Sequence, residues 1–468
     1  MSSKDCFFAQ TNQPRILMNQ TGYPIVIELD RNQPYKISVH SKSRSYERTV
    51  TVLSVRSYFE PNLWFTTGEK NNYCRAEVDV DISGKKYTLI LRPYQMPVTC
   101  NGLRIFVETI KDWAYSSEVS DMNDVQKEVR LSICAAGQSW GPDNFIFPLE
   151  KYRWKANAYQ NTWGALVPYN IRYYHRGEDY GAIPDLINIK APFAGKVITS
   201  PLPDGDGKSN AVFIENNEGV ICRISHMNID NVFSNCNKGN SVKAGEILAK
   251  TGMTWNGRKT QVNDPHCHIE LQYNGTLLAS YPYLMEAYLR NYSDRVVAVA
   301  GGYQFTVTNN KIVLDGSRSL ERRKGDIVSY QWKLHNDSIV KEKKFTIQYT
   351  KPGLYTEELK VTAKDGAIDR DFVQVRVYDT TNARNLAYGW AYYFPIREIK
   401  PGISVLFWNR LVNVQSPVVI DFGDKSPAVN IGKQIYHVYK KAGRYVVSLN
   451  SMGEGNEPVT IKMEVVVD

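Results

Sequence analysis

The run His266-Cys267-His268-Ile269-Glu270-Leu271-Gln272-Tyr273 alternates polar and apolar side chains. A strand puts residues two apart on one face. Both imidazoles and Glu270 then share a side, and Cys267, Ile269 and Leu271 take the other. Such a strand needs a core against its apolar face and leaves a row of polar donors on the opposite one. Two other places collect the same chemistry: His175-Arg176-Gly177-Glu178-Asp179 upstream, and Ser225-His226-Met227 between the two. Four of the chain's seven histidines fall in these three places. Zinc favours imidazole and carboxylate ligands, and a catalytic site keeps one position open for water. His175 and Asp179 can supply two ligands from one short segment.

His-x-x-x-Asp followed by a distant His-x-His resembles the signature of the M23 (lysostaphin/LytM-type) zinc endopeptidases. The landmarks between agree: Ala191-Pro192-Phe193-Ala194-Gly195-Lys196-Val197, the hairpin of Val212-Phe213-Ile214-Glu215 and Gly219-Val220-Ile221, and Val242-Lys243-Ala244-Gly245-Glu246-Ile247-Leu248-Ala249 before Gly252. The resemblance covers roughly residues 146–293 and implies a central antiparallel β-sheet. It implies one zinc ion per chain, held by His175, Asp179 and His268, with a water in the fourth position whose pKa falls toward about 7. His266 matches the histidine that stands beside the metal as general base or orients the water. His226 matches the one that stabilises the tetrahedral intermediate or shuttles the proton.

This chain departs from the family pattern in places. Cys267 stands between the histidines, and its thiol reads as a small core hydrophobe; a ligand role is the rival. The segments Asn228–Asn240 and Trp255–Pro265 are long and are expected at the rim of the cleft. Glu270 shares the ligand face and either orients an imidazole or, the preferred expectation, sits at the strand's wet end.

The chain of 468 residues, with 30 Tyr and 9 Trp, predicts a mainly β, multidomain protein. Residues 14–110 carry short strand-like runs: Ile25-Val26-Ile27-Glu28-Leu29, Tyr35 to Val39, Tyr87 to Leu91 and Leu103 to Val107. They predict an Ig-like sandwich. Asn19-Gln20-Thr21-Gly22-Tyr23-Pro24 resembles the start of the Ig-like domain of family 9 cellulases, without their catalytic barrel. Residues 111–145 read as a connector with a short helix over Asp121–Arg130. Residues 146–293 form the peptidase-like domain, closing on a helix over 282–293. Residues 294–380 resemble a PKD-type domain through Leu314-Asp315-Gly316-Ser317, Tyr330-Gln331-Trp332, Pro352-Gly353-Leu354-Tyr355 and Lys364-Asp365-Gly366. Residues 381–468 resemble a second, divergent copy through Ile420-Asp421-Phe422-Gly423-Asp424 and Ala442-Gly443-Arg444-Tyr445. His437 reads as structural there, and His40 and His335 lack a ligand pattern nearby.

The formal charge is +9. Residues 296–468 hold 24 Lys+Arg against 18 Asp+Glu, so the basic excess lies mainly away from the histidines. It reads as a solvated surface, or as attraction to an acidic polymer such as a bacterial envelope. No nucleic-acid motif and no apolar run of transmembrane length appears. Cys6-Phe7-Phe8-Ala9 is too short for a signal-peptide core. Seven cysteines do not make a disulfide framework, though Cys222 and Cys236 are free to pair on sequence grounds.

Together with the resemblance, this predicts a secreted, periplasmic or envelope-associated zinc metalloendopeptidase that hydrolyses peptide cross-links or stem peptides of peptidoglycan. The alternatives are a catalytically inactive relative that binds peptidoglycan or activates a wall hydrolase, and a carbohydrate-binding or adhesive protein in which the Ig-like modules do the main work. Residues 296–468 are expected to be dispensable for the chemistry.

Overall fold

The computed structural model describes residues 13–40, 45–61, 71–116, 124–168, 172–201, 210–255, 258–259, 265–323, 325–379 and 387–468. Strands dominate, and the chain divides into two units. The first comprises residues 1–58, 73–91 and 97–142, and the second residues 59–72, 92–96 and 143–468.

The first unit holds two sheets. One runs in the order Arg15–Met18, Ile25–Leu29, Val129–Ala135, Leu103–Ile110, Val98–Cys100. The other runs Pro34–His40, Ser45–Pro61, Asn71–Ile82, Lys85–Leu91. All four strand-like runs expected here are strands. Their alternate residues build the core: Val26, Ile37, Leu89, Leu103 and Ile105 are buried.

The helix expected over Asp121–Arg130 is absent from its described part, and Asp121 to Asn123 lie outside the described residues. Val129 and Arg130 instead open the strand Val129–Ala135, which pairs with Ile25–Leu29 on one side and Leu103–Ile110 on the other. Every residue of that strand is buried. A continuous β-prone run between two strands gains more from the ladder and the core than from a charged helix. Much of the expected connector therefore belongs to the first unit's core.

The second unit begins with the sheet that carries the histidines. Its order is Gln160–Asn161, Glu178–Gly181, His266–Tyr273, Val220–Ser225, Val212–Glu215, Gly195–Thr199, Ser241–Val242, with Thr276–Leu278 also pairing with His266–Tyr273. Cys267, Ile269 and Leu271 face the core, as the alternation requires, and are fully buried. A three-stranded sheet, Asn188–Lys190, Ile247–Thr251 and Met227–Val232, lies beside it in the chain path. The long segment after His226 thus supplies a sheet strand, followed by a 3-10 turn that buries Cys236. It is structural rather than a free rim loop. Within Trp255–Pro265, Trp255 pairs with Arg258 as part of a two-stranded ladder; Asn256, Gly257 and Thr260 to Asp264 lie outside the described residues. The helix Ser280–Asn291 follows, burying Tyr281, Tyr283, Leu284 and Ala287.

Beyond it the β pattern returns. The strands Gly353–Ala363 and Ile368–Tyr378 pair along their length around Leu314, Trp332 and Val375. Residues 387–468 repeat the arrangement with Gly443–Met452 and Pro458–Val467. The two modules share a sheet, because Leu354 pairs in parallel with Val459. Buried charge reinforces that join. Glu464, fully buried, receives Arg153, Arg370 and Arg444 at 2.7 Å each. Asp369 accepts Lys155 at 2.7 Å and Arg444 at 3.2 Å. Arg153 and Lys155 belong to the segment leading into the histidine sheet, so residues 296–468 are not a loose appendage to it.

Candidate metal centre

Three adjacent strands place the polar side chains. Asp179 on Glu178–Gly181 sits directly opposite His268, and Ser225 on Val220–Ser225 sits opposite His268 from the other side. His175 precedes Asp179 by one turn of chain. Its backbone is fixed at both ends: His175 N–H donates to Ala165 O at 2.8 Å, and Gly164 N–H donates to His175 O at 2.7 Å. Gly177 makes the crossing possible. A Cβ there would lie 2.4 Å from Ile269 O and 2.9 Å from His268 Cε1.

The donors converge. His175 Nε2 lies 3.1 Å from His268 Nδ1 and 3.1 Å from Asp179 Oδ2, and His268 Nδ1 lies 2.7 Å from Asp179 Oδ1. One ligand atom from each of the three falls within 4.8 Å of the others. Tetrahedral zinc with bonds of about 2.0–2.1 Å sets its ligands about 3.3 Å apart. The observed donors reach that spacing by moving a few tenths of an ångström outward, so the donor set and its geometry fit the ion.

His226 terminates its strand in the left-handed region, at φ 63. The turn aims its ring back over the sheet, 4.6 Å from the His266 ring and 6.3 Å from that of His268. Its Nδ1–H donates to Thr254 O at 2.8 Å. Gly252 permits that approach, since a Cβ there would meet Asn228 N at 2.5 Å. His266 lies against the Tyr159 ring, at 5.2 Å, with its Nε2 3.5 Å from Asp179 Oδ1. The five residues singled out in the sequence, His175, Asp179, His226, His266 and His268, therefore form one cluster.

Burial sets the electrostatics. It pulls His175 below the usual imidazole range, against the pull of Asp179. Burial and the neighbouring His266 and His268 bring His226 down to about 3. For His268 burial also pulls down, but Asp179 and Glu270 outweigh it and the pKa rises. Burial opposes ionisation of Asp179 too, yet His175 and His266 hold it well below the usual carboxylate range. Cys267 is pushed far up by burial, which fits a core thiol. Cys222 and Cys236 are free and buried rather than paired; Cys236 Sγ donates to Leu248 O at 3.1 Å.

Glu270 is not at a wet end. It is 1 % exposed, and its Oε1 accepts His268 Nε2 at 2.7 Å, Arg176 Nε at 2.7 Å and Arg223 at 2.8 Å. The strand runs on into the sheet between two neighbours, and the arginines offset the buried charge. A carboxylate holding the far nitrogen of a metal-binding imidazole fixes its tautomer and raises its basicity. The signal was present: Glu270 shares the face of His268, and Arg176 sits inside the His-x-x-x-Asp motif. Tyr159 carried no such signal. Its hydroxyl donates to Asp179 Oδ2 at 2.9 Å from a segment ahead of the motif. The remaining histidines make structural contacts. His437 stacks on Phe422 at 3.8 Å and bonds Asp424, His335 bonds Glu357, and His40 bonds Ser45.

Residues 173–280 match the profile of Peptidase family M23, and residues 294–377 that of the PKD domain. No curated protein matches the chain. Among solved structures, a putative glycyl-glycine endopeptidase LytM from Ruminococcus gnavus is 18% identical, with a TM-score of 0.24. The alignment covers 31% of this chain and 61% of that one, so the chain spans less than two thirds of that protein. A zinc-containing peptidase from Vibrio cholerae is 15% identical over 57% of this chain and 83% of its own, with a TM-score of 0.24. The PKD domain from the KIAA 1837 protein is 24% identical over 19% of this chain and 92% of its own, at a TM-score of 0.16. The chain thus contains an M23-family peptidase domain, in which the histidine cluster lies, followed by a PKD domain.

Proposed function

We propose that this protein is a zinc metalloendopeptidase acting on the peptide cross-links or stem peptides of peptidoglycan, outside the cytoplasm in the cell envelope or its surroundings. The observation that carries the reading is the convergence of His175 Nε2, Asp179 and His268 Nδ1 within 4.8 Å, with His226 and His266 on the same face. In this reading those three residues hold one zinc ion. Zinc held there polarises the scissile carbonyl and lowers the pKa of water.

The chain's own groups do the rest. Glu270 takes the Nε2–H of His268 and turns Nδ1 to the centre. The Nδ1–H of His226 is committed to Thr254 O, so the neutral ring carries its lone pair on Nε2. In the neutral ring that nitrogen accepts a hydrogen bond rather than donating one, which suits orienting the nucleophile and relaying its proton more than binding an oxyanion. His266 stands between His226 and Tyr159, where it can orient the nucleophile and pass on the proton.

The test is metal analysis of the purified full chain together with muropeptide release from purified walls, for wild type, His175→Ala and His226→Ala. The proposal expects one zinc and release of peptides in wild type, loss of both in His175→Ala, and loss of release alone in His226→Ala. Zinc without cleavage of any cross-link chemistry would favour the inactive wall-binding alternative.

A further inference from the structure

Tyr159 stands between the metal centre and the C-terminal module. Its hydroxyl donates to Asp179 Oδ2 at 2.9 Å, and the residue is 4% exposed. Its ring lies 5.2 Å from His266 on one side and 4.8 Å, edge-on, from Trp390 on the other. The backbone around it is clamped from both directions. Toward the centre, Gln160 and Asn161 pair with Tyr180 and Asp179, and Gly181 N–H donates to Tyr159 O. A Cβ on Gly181 would lie 2.7 Å from that same oxygen, so the strand of the metal site presses on the tyrosine's backbone. Toward the C-terminal module, Ala158 N–H donates to Ala391 O at 3.0 Å, and Asn157 bridges to Tyr392. Tyr159, Ile183, Tyr392 and Trp408 form one apolar cluster, with Met253 and Trp390 packed against it. Met253 adjoins Thr254, whose carbonyl holds His226.

We infer that Tyr159 is a positioning residue for the metal site, acting through Asp179, and that the C-terminal module over residues 387–468 holds it in place through Trp390. The inference rests on Asp179 being a metal ligand, as proposed above. A carboxylate that binds a metal through one oxygen is fixed in plane by a hydrogen bond to the other, and loss of such a partner typically costs about 10–100-fold in metal affinity or activity. The tyrosine's own position depends on a wall of aromatic residues supplied from the far end of the chain. The C-terminal module thereby becomes part of the peptidase unit and not only a spacer.

Zinc affinity is the readout, measured on the full chain by competition with a chromophoric chelator, with thermal unfolding recorded on the same samples. Tyr159→Phe removes the hydroxyl and keeps the ring; it should weaken zinc binding about 10-fold or more at an unchanged fold. Trp390→Ala should weaken it less, and Trp390→Phe should restore most of the loss. In the Tyr159→Phe background Trp390→Ala should add nothing to the zinc defect, because both act through one hydrogen bond. Wild-type zinc affinity in a folded Tyr159→Phe variant overturns the inference while leaving the zinc site intact. Additive losses in the double variant overturn the role given to Trp390. A wild-type chain that takes up no zinc defeats the metal reading itself, and the inference with it. Zinc uptake without peptidase activity removes only the catalytic reading, and the affinity comparison still decides the role of Tyr159.

Discussion

Replacing Glu270 separates the metal site from the peptidase reaction most cleanly, because it touches neither ion nor substrate in the proposed arrangement. One oxygen of Glu270 accepts from His268 and from two arginines. Glu270→Gln keeps the shape and removes the charge. The carboxamide oxygen meets the same three donors without the charge that holds the arginines, and the NH2 that replaces the other oxygen can no longer accept from Gln272. The zinc cost follows from His268, whose basicity falls and whose tautomer is no longer fixed: about 10–100-fold in affinity, or about 1.4–2.8 kcal/mol. The folding cost depends on the arginines. The Arg176 side chain is 32% exposed and recovers much of its loss from water, whereas that of Arg223 is 10% exposed and recovers little. Removing one partner of a buried pair costs about 3–5 kcal/mol, so Glu270→Ala should approach that range and Glu270→Gln fall below it. Chelator competition gives the zinc constant, and urea unfolding of the apo and zinc-loaded protein gives the stability. A folded Glu270→Gln variant with wild-type zinc affinity would show that Glu270 serves the sheet and not the metal.

Alanine at His175, Asp179 or His268 should each remove most of the zinc, read by elemental analysis; full occupancy in any folded variant removes that residue from the ligand set. His226→Ala and His266→Ala should retain zinc and lose about 10²–10⁴-fold in turnover, so full turnover in either takes that histidine out of the mechanism. Asp371 is raised to about 6, chiefly by burial. Its native form therefore binds more protons than the unfolded chain between about pH 4 and 6, and its contribution to stability falls as pH rises through that window. Asp371→Asn, which can still accept from Ala300 N–H, should be more stable than wild type at pH 7 by about 1–3 kcal/mol and lose that slope; identical pH–stability curves would refute the assignment. A chain ended near Asp294 should bind zinc more weakly than the full chain, since Tyr159 loses Trp390 and Arg153 loses Glu464. Equal affinity would return residues 296–468 to the dispensable role expected of separate β-modules.

Period-two alternation explains what was legible. It decides which face a side chain takes, and so His266 and His268 could be placed together from sequence. It does not decide depth. An unpaired carboxylate belongs at the wet end, which is where sequence puts Glu270; its partners are Arg176, in the connection ahead of Glu178–Gly181, and Arg223, on the neighbouring strand. The segment Asn228–Asn240 lengthens the family pattern and so reads as a rim loop, yet Val232 finds a place opposite Ala249. A long insertion that supplies its own ladder is stable where a bare loop would leave backbone groups unpaired. Tyr159 was illegible for a third reason. Nothing local marks it, and its hydroxyl finds Asp179 only once Gln160 and Asn161 have added a strand to the edge of the sheet.

The charge distribution follows the same logic. Read as a count, the excess of Lys and Arg over residues 296–468 suggests a solvated basic surface, or one that attracts an acidic polymer. In the fold several of those cations are drawn inward. Arg370 and Arg444 meet Glu464, whose neighbours are the paired strands of two modules. Arg376 is 8% exposed and donates to Ala387 O. Burial lowers its pKa accordingly, and brings Arg318 down to about 10. Breaking an internal pair of this kind leaves an uncompensated charge and costs more than a surface pair returns. Arg370 and Arg444 thus help join the modules to each other, and Arg397 donates to Tyr152 O in the segment that leads to Tyr159. Any attraction to an anionic wall comes from the exposed lysines and from exposed arginines such as Arg322 and Arg323, and salt would screen it within about 8–10 Å.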